Sequence, residues 1–200
     1  MTRDVLSLLD DPEISDLTLV VEGRKIHVHR AILFARSSHF RSMFTSGMRE
    51  CGDGLVHIPD APYDAMKVML VYLYTGDVPL TPALAMPVLC LADRYMIAGL
   101  KRLCESVLVG AINIETVVVM LEAATQYSAS HLQQECLMFA VAHFQELVHT
   151  ADYVTLDPKI MILVQRAVAP HVQRPKALAL ASGREAPCST FCSPGRSSHA

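Results

Sequence analysis

The hydrophobic and polar positions of the first sixty residues change period twice. The aliphatic and β-branched run Leu17–Val21 is typical of a strand, and Glu22-Gly23-Arg24 supplies a turn after it. Residues 25–28 return as a second strand, which completes a predicted hairpin. From His29 to Phe44 the apolar positions follow helical spacing, and residues 55–58 predict a further short strand before Pro59.

The remainder of the chain has the helical period. One apolar stripe falls at i, i+3, i+4, i+7 and i+8 and consists of Met66, Met69, Leu70, Leu73 and Tyr74. Two helices are predicted at roughly 83–93 and 97–108. Asn113 predicts the cap of the next helix, Ser130 and Gln133 have capping-box spacing, and Asp157-Pro158 predicts a last helix through about Arg166. A small β-layer followed by successive helices predicts the α+β class.

Composition narrows the classes of function. The chain has 200 residues, 52% of them hydrophobic, and a net charge of −3, which argues against an electrostatic nucleic-acid binder. Charged residues interrupt every apolar stretch before 18 residues, so no membrane span is predicted. The first residues lack a secretory hydrophobic segment, and the middle cysteines lie on apolar faces. We therefore expect a reducing compartment, the cytoplasm, the nucleus or both.

The last part of the chain differs from the rest. Residues 166–200 contain five Lys or Arg and the single acid Glu185, which gives +4 and leaves −7 for the remainder. From Pro170 onward the sequence is rich in Ala, Ser, Pro and Gly without a sustained period. Such a segment buries too little apolar area to offset its ordering entropy, so residues 167–200 are predicted to form a disordered tail.

Motifs for catalysis, cofactors and metals are missing from the sequence. There is no Gly-rich phosphate loop and no GxSxG elbow. His27 and His29 share a strand face, but no Cys or carboxylate follows at zinc-ligand spacing, which favours a structural role. Cys188, Cys192 and His199 lack a fourth ligand. We expect no enzyme activity, no cofactor and no metal, and we expect Cys104 and Cys136 to pack in the core.

Several motifs, in order along the chain, resemble the BTB/POZ family. Residues 15–44 carry its opening pattern, which includes Gly23, His29-Arg30 and Met43-Phe44. Residues 56–60, 70–76, with Tyr74-Thr75-Gly76, and 89–104 resemble its third strand, its central helix end and its closing helical hairpin. The resemblance implies a short β-sheet flanked by a helical cluster over residues 5–110, and a protein–protein interaction module.

Residues 111–166 resemble the helices that follow BTB domains in adaptor proteins, the 3-box or a partial BACK region. The matching residues include Tyr127, Leu132, Cys136 and Phe139. The resemblance implies a homodimeric adaptor that recruits an unidentified substrate protein to a cullin-3 RING ubiquitin ligase.

Two sets of residues are candidates for partner contacts. Met48-x-Glu50 occupies the place of the family's cullin-binding motif, and the resemblance implies a cullin contact there with Tyr74 nearby. The apolar residues Val5, Leu6, Leu8 and Leu9 predict a dimer interface, because a lone domain has no reason to expose them.

An alternative function is a dimerisation or transcription-corepressor scaffold that does not bind cullin. Asp16 and Arg30 match the charged pocket of transcription-repressor BTB domains. The structural interpretation of this pair is a buried Asp and Arg that orient strand and helix by satisfying each other.

Overall fold

The computed structural model describes residues 2–46, 54–150, 153 and 156–172. Its elements in chain order are α1 (Thr2–Leu6), β1 (Leu17–Val21), β2 (Arg24–Val28), α2 (Arg30–Arg36), α3 (Ser38–Thr45), β3 (Leu55–Ile58), α4 (Tyr63–Thr75), α5 (Pro82–Arg94), α6 (Ala98–Val109), α7 (Val117–Gln126), α8 (Ser130–Ala142), α9 (Phe144–Leu147) and α10 (Pro158–Val172). The arrangement confirms the predicted α+β class.

A three-stranded sheet in the order β2-β1-β3 forms one side of the core. β1 and β2 are antiparallel with Leu19 opposite Ile26, and β1 and β3 are parallel with Leu19 opposite Val56. Alternate residues of β1 are buried because one face of the sheet packs on the helices. Glu22 and Gly23 both have positive φ, +50° and +75°, as a tight hairpin turn requires.

Helix α4 runs through the centre of the fold and confirms the predicted apolar stripe. Met66, Met69 and Leu70 are fully buried. The helix ends at Gly76, whose φ of +84° lets its N–H bond the carbonyl of Tyr72 at 2.8 Å.

The α2–α3 junction is fixed to the α5–α6 turn. The buried Ser37 hydroxyl donates to the carbonyl of Tyr95 at 2.7 Å and also accepts the amide of Phe40. The rings of Phe40 and Tyr95 stack with centroids 4.8 Å apart. These contacts join the first helical pair to the closing hairpin of the first domain.

The helical extension packs into the same core but begins its helices differently from the prediction. Asn113 accepts the amides of Glu115 and Thr116 in the turn that precedes α7, which itself starts at Val117. The predicted capping box at Ser130 is wrong, because Ser130 is already in the helix and Ala129 before it makes no side-chain cap.

The last helix also extends further than predicted. α10 continues through Val172, and Val168 is buried, so residues 167–172 belong to this helix and not to the predicted tail. None of the helices in the described part of the chain is long and apolar enough to span a membrane.

Candidate functional site

The junction of β2 and α2 is held by a hydrogen-bonded pair, His29 and Tyr74. The Tyr74 hydroxyl oxygen accepts the His29 amide at 2.9 Å and lies 3.0 Å from His29 Nδ1. His29 Nε2 lies 3.1 Å from the carbonyl oxygen of Ile14. Because a carbonyl only accepts, Nε2 carries the proton of the neutral tautomer, in which Nδ1 accepts from the Tyr74 hydroxyl. Both ring nitrogens therefore have hydrogen-bond partners within the fold, which agrees with the structural role that the sequence favours.

The burial of Tyr74 contradicts its prediction as a cullin contact. Its side chain is 6% exposed, so it has almost no surface that a partner can bind. Burial raises its pKa to about 12, and the charge of Asp16 adds to this rise while the hydrogen bond with His29 opposes it. The phenol is therefore a neutral internal anchor of α4.

The pair Asp16 and Arg30 meets through the backbone. Asp16 Oδ1 accepts the amide of Arg30, the first residue of α2, at 2.7 Å. At this end of the helix the dipole also stabilises a carboxylate. Asp16 is exposed and Arg30 is half-buried, so the expectation of a mutually buried pair is wrong for Asp16. The carboxylate still orients strand and helix, as the structural interpretation holds.

A cleft of about 270 Å³ opens beside this pair between α2 and α3. Arg30, Ala31, Phe34 and Phe44 line it. The Arg30 guanidinium lies 5.2 Å from the centroid of the Phe44 ring, and the Arg41 guanidinium lies 5.3 Å from the centroid of the Phe34 ring. Phe34 is 40% exposed. Guanidinium groups over aromatic faces suit a peptide that presents a carboxylate next to an apolar side chain.

The predicted dimer residues of α1 and the turn after it are half-buried. Val5, Leu8 and Leu9 pack against the core of their own chain, and α1 contacts α4. Leu6 is half-buried as well. Each of these side chains therefore keeps a part of its apolar surface accessible.

The predicted cullin motif, Met48 and Glu50, lies outside the described residues. It belongs to the connection between α3 and β3. The carbonyl of Gly54, the residue before β3, accepts the amide of Thr18 at 2.8 Å and so fixes the start of β3 to β1.

Sequence reasoning missed a groove on the extension. It has a volume of about 530 Å³, and most of its lining comes from α8, including Leu137, Met138 and Val141, with Ala167 from α10. Met138 is 51% exposed. The signal in the sequence is a second apolar face on α8, displaced from the buried stripe of Leu132, Cys136 and Ala140.

The thiols of the helical region are core groups. Cys104 and Cys136 are completely buried, and burial raises the pKa of each to about 12, so both are neutral and shielded from reaction. This confirms the predicted packing role. Within the described ranges no group of three or more His, Cys, Asp and Glu side chains is arranged to hold a metal ion.

Comparison with known proteins identifies the first domain. A family model of the BTB/POZ domain matches residues 6–112, which is more than half of the chain. The chain belongs to the BTB/POZ family. The BTB/POZ domain is a protein-interaction fold, and the BTB region of this chain is therefore a protein–protein interaction module.

Relatives of this BTB/POZ chain include larger proteins. "ARM repeat protein interacting with ABF2" of Arabidopsis thaliana is 37% identical over 139 residues, 70% of this chain and 20% of that protein. "TD and POZ domain-containing protein 4" of Mus musculus is 32% identical over 158 residues, 78% of this chain and 43% of that protein. The chain thus spans less than half the length of these relatives. The BTB domain of human gigaxonin aligns with a TM-score of 0.45 at 24% identity, over 52% of this chain and 83% of that domain.

Proposed function

We propose that this BTB/POZ protein is a homodimeric adaptor that recruits an unidentified substrate protein to a cullin-3 ubiquitin ligase. The observation that carries the proposal is the helical extension, which continues from the BTB domain in one shared core. Val117 and Leu121 of α7 and Leu132 of α8 are buried together with Leu100 and Cys104 of α6. In the proposed complex the cullin contacts both the BTB domain and the helices after it, so these two regions have to be held as one continuous unit.

Met48 and Glu50 are the proposed cullin contacts. A buried methionine contributes roughly 1–3 kcal/mol to an interface, and leaving a partner charge unpaired costs a similar amount. Since each 1.4 kcal/mol is about tenfold in affinity, loss of both contacts weakens binding by orders of magnitude.

The experiment is a calorimetric titration of the full chain with the cullin-3 N-terminal domain. We expect the wild type to bind at micromolar concentration or tighter and Met48→Asp with Glu50→Lys to abolish binding. The matched control is Glu13→Lys with Ile14→Asp, since Glu13 and Ile14 are exposed and the side-chain changes are of the same kind. A folded, dimeric wild type that does not bind overturns the adaptor function.

The second candidate function is a corepressor-type scaffold without cullin binding. The cleft beside Asp16, lined by Arg30, Phe34 and Phe44, favours it, because the Arg30 guanidinium and the aromatic rings suit an acidic, partly apolar peptide. A screen of such peptides by fluorescence anisotropy tests this candidate. Binding that Phe34→Ser removes supports it, and an unchanged affinity in that variant counts against the cleft.

A further inference from the structure

Two oppositely charged side chains of α6 hold the turn between α7 and α8. Lys101 and Glu105 are four residues apart and therefore lie on the same face of α6. Glu105 Oε2 accepts the amides of His131 and Leu132 at 2.9 and 3.1 Å. Lys101 Nζ donates to the carbonyl of Tyr127 and to Asp93, with Nζ 2.7 Å from Asp93 Oδ1.

Each charge matches the end of the helix that it contacts. The carboxylate lies at the first turn of α8, where unpaired amides and the helix dipole are positive, and the ammonium lies at the last carbonyls of α7, where they are negative. Glu105 is 6% exposed, so its bonds to α8 are shielded from water. We refer to Lys101 and Glu105 together as the α6 clamp.

The turn between α7 and α8 supplies no side-chain cap for the first turn of α8. Ser128 adopts a positive φ of +52°, and Ala129, the residue before α8, makes no side-chain cap. The α8 amides therefore find their acceptor in the BTB domain, 26 and 27 positions earlier in the chain. The orientation of the extension is thereby tied to the BTB domain through one carboxylate and one ammonium.

The geometry points to Lys101 and Glu105 as positioning residues for partner binding. They hold α7 and α8 in one orientation on the BTB domain, so that a partner that contacts both regions meets a preformed surface and does not have to order it. The partner-binding half of this inference rests on the proposed cullin-3 function, and the structural half does not.

The test combines amide hydrogen exchange with the cullin titration on the full chain. We expect Glu105→Ala to remove the protection of the His131 and Leu132 amides and to weaken binding of the cullin-3 N-terminal domain about tenfold. Glu105→Gln keeps an acceptor oxygen and should restore most of both. Arg102→Ala, at an exposed position of the same helix, is the control and should change neither.

Exchanging the two charges distinguishes the α6 clamp, in which each charge contacts one helix end, from an ion pair, which forms in either order. Lys101→Glu with Glu105→Lys places each charge at the wrong helix end, so we expect it to lose protection at least as strongly as Glu105→Ala. Restored protection in this double variant overturns the clamp. Thermal unfolding of every variant shows whether the fold is retained, and the Gln variant keeps the test decisive if Ala or the exchange unfolds the chain.

The two halves fail in different ways. Unchanged amide protection in Glu105→Ala overturns the structural half. Lost protection with wild-type cullin affinity overturns the partner-binding half alone. A wild type that does not bind cullin overturns the proposed function together with the partner-binding half, while the exchange data still decide whether the clamp holds α8.

Discussion

The hydroxyl oxygen of Tyr74 lies 2.9 Å from the amide nitrogen of His29 and 3.0 Å from its Nδ1. This contact joins the last turn of α4 to the residue before α2. It places the centre of the helical cluster against the end of the hairpin, which is where the candidate contacts Asp16 and Arg30 also lie. These hydrogen bonds satisfy the hydroxyl of Tyr74 inside the fold, although the resemblance implies that Tyr74 lies near a partner surface.

Tyr74→Phe tests this anchor. The change removes the hydroxyl and leaves the His29 amide and Nδ1 without their partner, so we expect the free energy of unfolding to fall by about 1–3 kcal/mol. Urea unfolding followed by circular dichroism measures it. Tyr72→Phe, at a half-buried position of the same helix, is the matched control. Equal stability of the two variants would show that the hydrogen bonds contribute nothing.

The stability of the fold should decrease in mild acid because of His39. Burial, and secondarily the charge of Arg94, lowers the pKa of His39 below its usual 6.5. The unfolded chain then binds the proton more readily than the folded chain, so stability falls as the pH drops below about 6.5. The loss is complete once the pH is below the folded pKa.

His39→Phe provides the comparison for this pH dependence. A phenylalanine preserves a ring against Tyr95, whose centroid lies 4.9 Å from that of His39. We expect the thermal midpoint of the variant to fall less between pH 7 and pH 5 than that of the wild type. Parallel curves for the two proteins would exclude His39 as the source.

Truncation distinguishes the last helix from the residues after it. A chain that ends after Val172 should melt at the same temperature as the full chain, because the composition of residues 173–200 predicts a tail that adds little stability. A chain that ends after Arg166 loses the buried Val168 and should melt several degrees lower. Differential scanning calorimetry of the three chains measures both effects. A lower midpoint for the chain that ends after Val172 than for the full chain would show that the tail packs on the fold.

We predict that the homodimer forms through the accessible side of α1. Leu6→Asp places a charge on this half-buried side, so we expect the variant to be monomeric at concentrations at which the wild type is a dimer. Light scattering at micromolar concentration gives the mass. Ser7→Asp, at an exposed neighbouring position, should remain dimeric. A monomeric wild type would contradict the dimer itself.

The sequence predicts those parts of the molecule that depend on local periodicity. The aliphatic and β-branched content of Leu17–Val21 predicts β1, and the stripe through Met66 and Leu73 predicts α4, because one buried face imposes the helical period. The strand-to-helix order then gives the class, and the motifs give the family.

Long-range partners explain what the sequence does not predict. Ser130 and Gln133 have the spacing of a capping box, but the acceptor for α8 is Glu105, which no local pattern connects to it. Tyr74 lies on the predicted apolar stripe of α4, but the partner of its hydroxyl, His29, is 45 positions away and no local pattern connects the two. Val168 lies just before the proline-rich stretch and continues the four-residue spacing of the buried Ile160 and Val164, so the helix runs past its predicted end at Arg166.

The most direct test of the adaptor is the mass of a mixture of the full chain and the cullin-3 N-terminal domain, by size-exclusion chromatography with multi-angle light scattering. We expect one particle with two 22.0 kDa chains and two cullin domains, which Met48→Asp with Glu50→Lys converts to a free dimer of the chain and free cullin. Separate elution of the folded wild-type dimer and the cullin domain at tens of micromolar would contradict it.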